Sequence, residues 1–174
     1  TAATEQAQFV KELAMKQGAH SNSSIVSGEE ALKDLWRRRK ECLWNAIAFY
    51  HNREPMITDV CVPLSELPII MKESRQWMEE SGLPCPVVAH AGDGNFHVFI
   101  MFDPSSKEEV IKAKLLAKKM ANRAIDLGGT CTGEHGIGVG KKELLKKELG
   151  YNGMEILYKV KTALDPDNIM NPGK

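Results

Sequence analysis

A chain of 174 residues, 43% of them hydrophobic, is long enough to bury the core of one ordinary domain. Its 23 Lys and Arg balance 23 Asp and Glu, so the basic footprint of a nucleic-acid binder is missing. No apolar run reaches bilayer-spanning length, no signal-peptide pattern opens the sequence, and four cysteines without paired spacing (Cys42, Cys61, Cys85, Cys131) suit a reducing, intracellular compartment.

Residues 2–17 have helical composition and close at Gly18, and HSNSSIVSGEE after them reads as a mobile polar loop. A second helix is expected from Glu29 to about His51, with Leu32, Leu35, Trp36, Leu43, Ala46 and Ile47 on its apolar side. ITDVCV, residues 57–62, is strand-like by its β-branched content and is stopped by Pro63. Ser65 and Glu66 open a helix that runs to Gly82. CPVVAHA and NFHVFIMF are two further strands, and Ser105 and Ser106, each with a glutamate three residues on, open a helix ending at Gly128 or Gly129. GTCTG is expected as a fourth strand, followed by helices near 139–149 and 153–163 and an irregular tail, DPDNIMNPGK. The order β-α-β-β-α-β predicts an α+β domain: a ferredoxin-like antiparallel sheet with helices added at both ends. Trp36, Trp44 and Trp77, at helical positions, are expected in the core, with Cys131 a small buried filler.

Between the second and third strands lies HAGDGNFH, residues 90–97. Gly92 and Gly94 tolerate positive φ, and Asp93 and Asn95 favour turns. With 92–95 as the loop, His90 stands opposite His97 on one face of the hairpin. Two facing imidazoles can share a metal ion; the plainer alternative is a polar sheet face meeting water. A catalytic site needs at least one more ligand. TCTGEHGIGVGKK, residues 130–142, holds the other histidine in a glycine-rich setting. Glu134 and His135 are adjacent, so their side chains diverge: one can reach a metal while the other faces a substrate. His90, His97 and Glu134 make a two-histidine, one-carboxylate set with open positions, and His135 is left as a general base. The stretch fails as a phosphate loop, because His135 stands where that motif needs glycine and Lys142 follows Lys141. Its alternating Gly136, Gly138 and Gly140 lack the dinucleotide fingerprint spacing. His20 and His51 read as solvated surface histidines, and Lys141 and Lys142 as solvated residues at a helix start, with contact to a carboxylate as the alternative.

HAGDGNFH, GTCTGEHGIGVGKK, TDVCVPLSELP, LWRRR and the terminal DPDNIMNPGK together resemble the C-terminal part of FAD-linked D-2-hydroxyacid dehydrogenases of the vanillyl-alcohol-oxidase type. That group spans cytochrome-type D-lactate dehydrogenases, to which the likeness is greatest, the glycolate oxidase flavoprotein subunit and D-2-hydroxyglutarate dehydrogenases. The resemblance runs from about Leu35 to Lys174. It implies metal ligation (Zn or Mn) by His90, His97 and Glu134, and proton acceptance by His135. Arg39, with Arg37 and Arg38 as adjacent alternatives, would hold the substrate carboxylate, and Asn171 would lie near the flavin. It also implies FAD as cofactor, bound mainly by an N-terminal domain absent from residues 1–174, so that this chain is the substrate (cap) domain and tail and is inactive alone. The start at Thr1 and the end at NPGK fit such a piece. Implied too are a small 2-hydroxy acid substrate, D-lactate favoured, a cytochrome c or quinone acceptor, and a mitochondrial location, with the cytoplasm as alternative. Two rival readings use the same residues: a metal-dependent hydrolase, and a metal-free, non-enzymatic interaction domain whose histidines line a sheet.

Overall fold

The computed structural model describes residues 2–20 and 22–173, and the chain divides into two compact units between Leu43 and Trp44. The first unit carries α1 (Ala2–Lys16), which ends at Gly18 with φ 87° as expected, and α2 (Glu29–Lys40). Among the described residues between them there is no helix or strand; the part of the expected loop at Ser21 lies outside the described residues.

The expected helix over 29–51 is two helices. α2 stops at Glu41, whose N–H returns to the Arg37 and Arg39 carbonyls, and α3 (Cys42–Phe49) follows. The break falls at the end of the charged run from Arg37 to Glu41. The expected apolar stripe is covered only in its second half: Leu43, Ala46 and Ile47 are half-buried or buried, whereas Leu32, Leu35 and Trp36 of α2 are exposed, and Trp36 and Trp44, expected in the core, are 58% and 68% exposed. Helical spacing defines a stripe but does not supply anything to cover it. Only Trp77 of the three tryptophans packs against the core, with the Lys119 ammonium 4.4 Å above its ring.

The second unit is an α+β fold on an antiparallel sheet, as the sequence predicts. Its strands are β1 (Glu54–Ile57), β2 (Val60–Cys61), β3 (Val87–His90) and β4 (Asn95–Phe102); the other three all pair with β4. All eight residues of β4 are buried. α4 (Leu67–Ser81) and α5 (Lys107–Asp126) cover one face, where Ile70, Leu116, Met120 and Ala124 meet Val60, Phe96, Val98 and Ile100. The Arg123 guanidinium binds Glu73 through two hydrogen bonds, 2.7 and 2.9 Å, and ties α5 to α4. α4 ends at Gly82 in the left-handed region. The Ser106 hydroxyl caps α5 by accepting the Glu109 N–H. The reciprocal half of that capping box is replaced: the Glu109 carboxylate accepts the Asp103 N–H and the Arg53 guanidinium instead.

ITDVCV is corrected in two ways. The strand begins earlier, at Glu54, and it breaks at Thr58 and Asp59 into β1 and β2, which keep one register against β4 (Ile57 with Phe99, Val60 with Phe96). GTCTG forms a single bridge between Thr130 and Cys61, because its glycines and the turn after Cys131 leave too little chain to extend it. α6 (Lys142–Leu164) breaks at Gly150 (φ 66°, ψ −176°), where the sequence separates two helices.

Candidate functional site

The hairpin turn spans residues 91–94, one position earlier than the sequence suggests. His90 therefore pairs with Asn95, and His97 with Val88. The register differs from expectation by two residues, which preserves the face. His90 and His97 become diagonal neighbours on the same side of the sheet, with ring centroids 5.7 Å apart. Gly94 makes this turn possible: its φ is 73°, and a Cβ there would collide with the Val62 carbonyl oxygen.

The break between β1 and β2 prepares His97. The Thr58 N–H donates to the Val98 carbonyl (3.0 Å), but the Val98 N–H goes to the Thr58 hydroxyl (2.9 Å). The Thr58 carbonyl, released from the ladder, lies 3.1 Å from His97 Nδ1. The carbonyl can accept a proton carried on Nδ1, the tautomer in which Nε2 is free to ligate. Nε2 is 2.9 Å from Glu134 Oε1, and His90 Nε2 is 3.8 Å from the same oxygen. His97 is buried, while Glu134 is half open to solvent.

The loop bearing Glu134 is fastened at both ends. Thr130 exchanges two backbone hydrogen bonds with Cys61, and the Glu148 carboxylate of α6 accepts the Thr130 hydroxyl and the Cys131 N–H. Further along, the Asp59 carboxylate accepts the backbone N–H groups of Glu134 (3.0 Å) and His135 (2.7 Å), the Thr132 hydroxyl (2.9 Å) and the Asn95 amide (3.0 Å). Burial alone would raise the pKa of Asp59. The His135 N–H, the Asn95 amide, the Glu134 N–H and the Thr132 hydroxyl outweigh it and hold the carboxyl far below the usual carboxylate range. With its backbone so held, His135 stacks on His97 (centroids 4.9 Å apart, planes 14° apart), its side chain nearly half exposed.

Two sets of side chains place three donor atoms within 4.8 Å of one another: His90, His97 and Glu134, and Asp59, His97 and His135. The hydrogen bonds on Asp59 already occupy its lone pairs, so it has nothing left for an ion. The first set fits a divalent metal. Ligation at about 2.1 Å sets neighbouring donors about 3.0–3.4 Å apart, close to the 2.9 and 3.8 Å spacings here.

The structure thus gathers four of the sequence-predicted residues: His90, His97, Glu134 and His135. Arg39, half-buried, belongs to α2 of the first unit, where Arg37 and Arg38 are engaged with Asp34. Asn171 sits exposed in the tail after α6, with φ 47°. His20 and His51 are on the surface, as expected. Cys131 is fully buried, and burial followed by the Glu148 carboxylate pushes its thiol up to about 11, which makes it inert packing. Lys141 is not simply solvated at a helix start: it is half-buried, with Nζ 3.9 Å from Asp59 Oδ2. Sequence reasoning missed Asp59, Thr58 and Asn95. The available signal was a lone carboxylate inside the apolar run ITDVCV.

Over residues 1–174 the chain matches the family described as FAD linked oxidases, C-terminal domain. It is 49% identical over 172 residues to the D-lactate dehydrogenase [cytochrome], mitochondrial, of Arabidopsis thaliana, covering 98% of this chain and 30% of that protein. Identity to the probable mitochondrial D-lactate dehydrogenase of Danio rerio is 39%, covering 98% of this chain and 34% of that protein. The glycolate oxidase subunit GlcD of Escherichia coli is 30% identical, with the same two shares. The chain therefore spans about a third of the length of these relatives.

Proposed function

The chain belongs to the C-terminal domain family of FAD-linked oxidases, and from that premise we propose that it forms the substrate- and metal-binding part of a flavin-dependent dehydrogenase. The reaction is oxidation of a D-2-hydroxy acid, D-lactate by preference, to the 2-oxo acid. One observation carries the reading: Glu134 Oε1 lies among the Nε2 atoms of His90 and His97, with the His135 imidazole stacked alongside and open to solvent.

His90, His97 and Glu134 would hold a divalent ion, Zn²⁺ or Mn²⁺, which supplies polarisation of the substrate hydroxyl and carboxylate oxygens. His135 takes the hydroxyl proton as the α-carbon releases hydride. FAD supplies the hydride acceptor; portions of the protein outside this chain would bind most of it, with Asn171 contributing from the tail. Arg39 fixes the substrate carboxylate through its planar fork. The mitochondrial D-lactate dehydrogenases of Arabidopsis thaliana and Danio rerio support a mitochondrial location, and the former, a cytochrome-type enzyme by name, supports an acceptor of that type. Quinone is the other acceptor to test. The family match favours this redox reading over hydrolysis at the same site.

The test is anaerobic flavin reduction by D-lactate in the full-length protein. His135→Gln should slow reduction about 10²- to 10⁴-fold while bound metal stays constant. An unchanged rate would remove His135 as the base, and no reduction by any D-2-hydroxy acid would defeat the reading as a whole.

A further inference from the structure

Asp59 is 1% exposed, and its hydrogen bonds leave it nothing for an ion, yet it meets the Glu134 and His135 backbone and lies beside His97. Its carboxylate receives two consecutive backbone N–H groups, those of Glu134 and His135, in the manner of an anion seated in a backbone nest. The Thr132 hydroxyl and the Asn95 amide complete its hydrogen bonds, and His97 Nδ1 lies 3.8 Å from Oδ1. The backbone takes part as well, the Gly133 N–H reaching the Asp59 carbonyl at 3.3 Å. Gly133 lets the loop lie this close: a Cβ there would run into the Asn95 amide and crowd Asp59 Oδ1.

Two neighbouring peptide N–H groups aimed at one anion fix the orientation of both peptides, and so the directions in which the Glu134 and His135 side chains leave the backbone. We propose that Asp59 is the positioning residue of this site: its carboxylate clamps the 132–135 backbone so that Glu134 reaches His90 and His97 while His135 stacks on His97. The inference rests on the metal reading above only for its consequence, since the clamp is a property of the loop itself.

The experiment uses the 174-residue chain with Zn²⁺ as probe and two readouts. Amide hydrogen exchange at Glu134 and His135 reports the clamp, and zinc titration reports what the clamp does. Asp59→Asn keeps the shape but removes the charge and replaces one acceptor oxygen by a donor, so the side chain can no longer receive all of these hydrogen bonds at once. In the folded variant those two amides should lose protection while β4 amides keep theirs, and zinc should bind about 10- to 100-fold more weakly. Gly133→Ala changes neither Asp59 nor any proposed ligand but pushes a methyl group between the loop and the Asn95 and Asp59 side chains. It should give the same pair of changes, and it decides the matter if Asp59→Asn does not fold. Unchanged protection and unchanged zinc affinity in a folded variant would overturn the proposal. A global loss of stability without a local one, protection falling equally in β4, would also overturn it. If the unmodified chain binds no zinc, the metal reading fails, and exchange at the two amides still judges the clamp.

Discussion

A threonine hydroxyl decides which nitrogen of His97 faces the site. Thr58 Oγ1 takes the N–H that a regular ladder would give to the Thr58 carbonyl, and the freed carbonyl meets His97 Nδ1. Thr58→Val keeps the shape and the β-propensity but leaves the buried Val98 N–H without its acceptor. The expected loss is about 1–3 kcal/mol of unfolding free energy in denaturant titration, and a change under about 0.5 kcal/mol would contradict this hydrogen-bond assignment. Glu134→Gln keeps the bulk of the third proposed ligand and removes its charge. Zinc affinity should fall at least about tenfold while the thermal midpoint of the metal-free chain barely moves, because the side chain is half exposed. The two histidines were legible as candidate ligands from the sequence because histidines flanking a glycine turn have no packing use. Thr58 and Asp59 were not, since a β-branched residue and one carboxylate within ITDVCV look like ordinary strand composition. Their roles depend on a break in a ladder, which only pairing with β4 creates.

Elements place these residues more robustly than turn chemistry suggests. GDGN indicates a hairpin but not where the loop starts, and the actual loop, 91–94, moves the pairing by two residues. Parity survives a shift of two, so both histidines stay on one face. Gly94→Ala should cost at least about 1 kcal/mol from its positive φ alone, with more from the collision with Val62, and should weaken zinc binding through His90. Equal stability and affinity would show that the turn is not held as described. The α4–α5 pairing carries a pH signature. The Arg123 guanidinium holds the Glu73 carboxyl below its ordinary value, so the stabilisation is fully present above the unfolded value of about 4.3 and is lost as pH falls through the lowered folded value. Glu73→Gln should therefore flatten the decline in stability between about pH 5 and pH 3, by about 0.5–1 kcal/mol because the pair is partly exposed. Parallel declines in both proteins would contradict this. The fourth strand was over-read for the opposite reason: GTCTG has β-branched content, yet it is committed to the Asp59 and Glu148 carboxylates and spares one residue for the sheet.

At the scale of the molecule, the buried core and the four gathered site residues all lie in the second unit. Fold class was readable from element order, and the family from motifs widely separated in the chain. What covers an apolar stripe was not readable, as Trp36 and Trp44 show. Residues 44–174 should accordingly unfold cooperatively by themselves, with a thermal midpoint within about 5 °C of the 174-residue chain; a broad, non-cooperative transition would mean that the first unit is needed for the core. If His90, His97 and Glu134 together hold a divalent ion, elemental analysis of the purified 174-residue chain should find close to one zinc or manganese per chain, and His97→Ala measured beside it should lose that metal. No metal after supplementation, or equal metal in both proteins, would contradict that assignment.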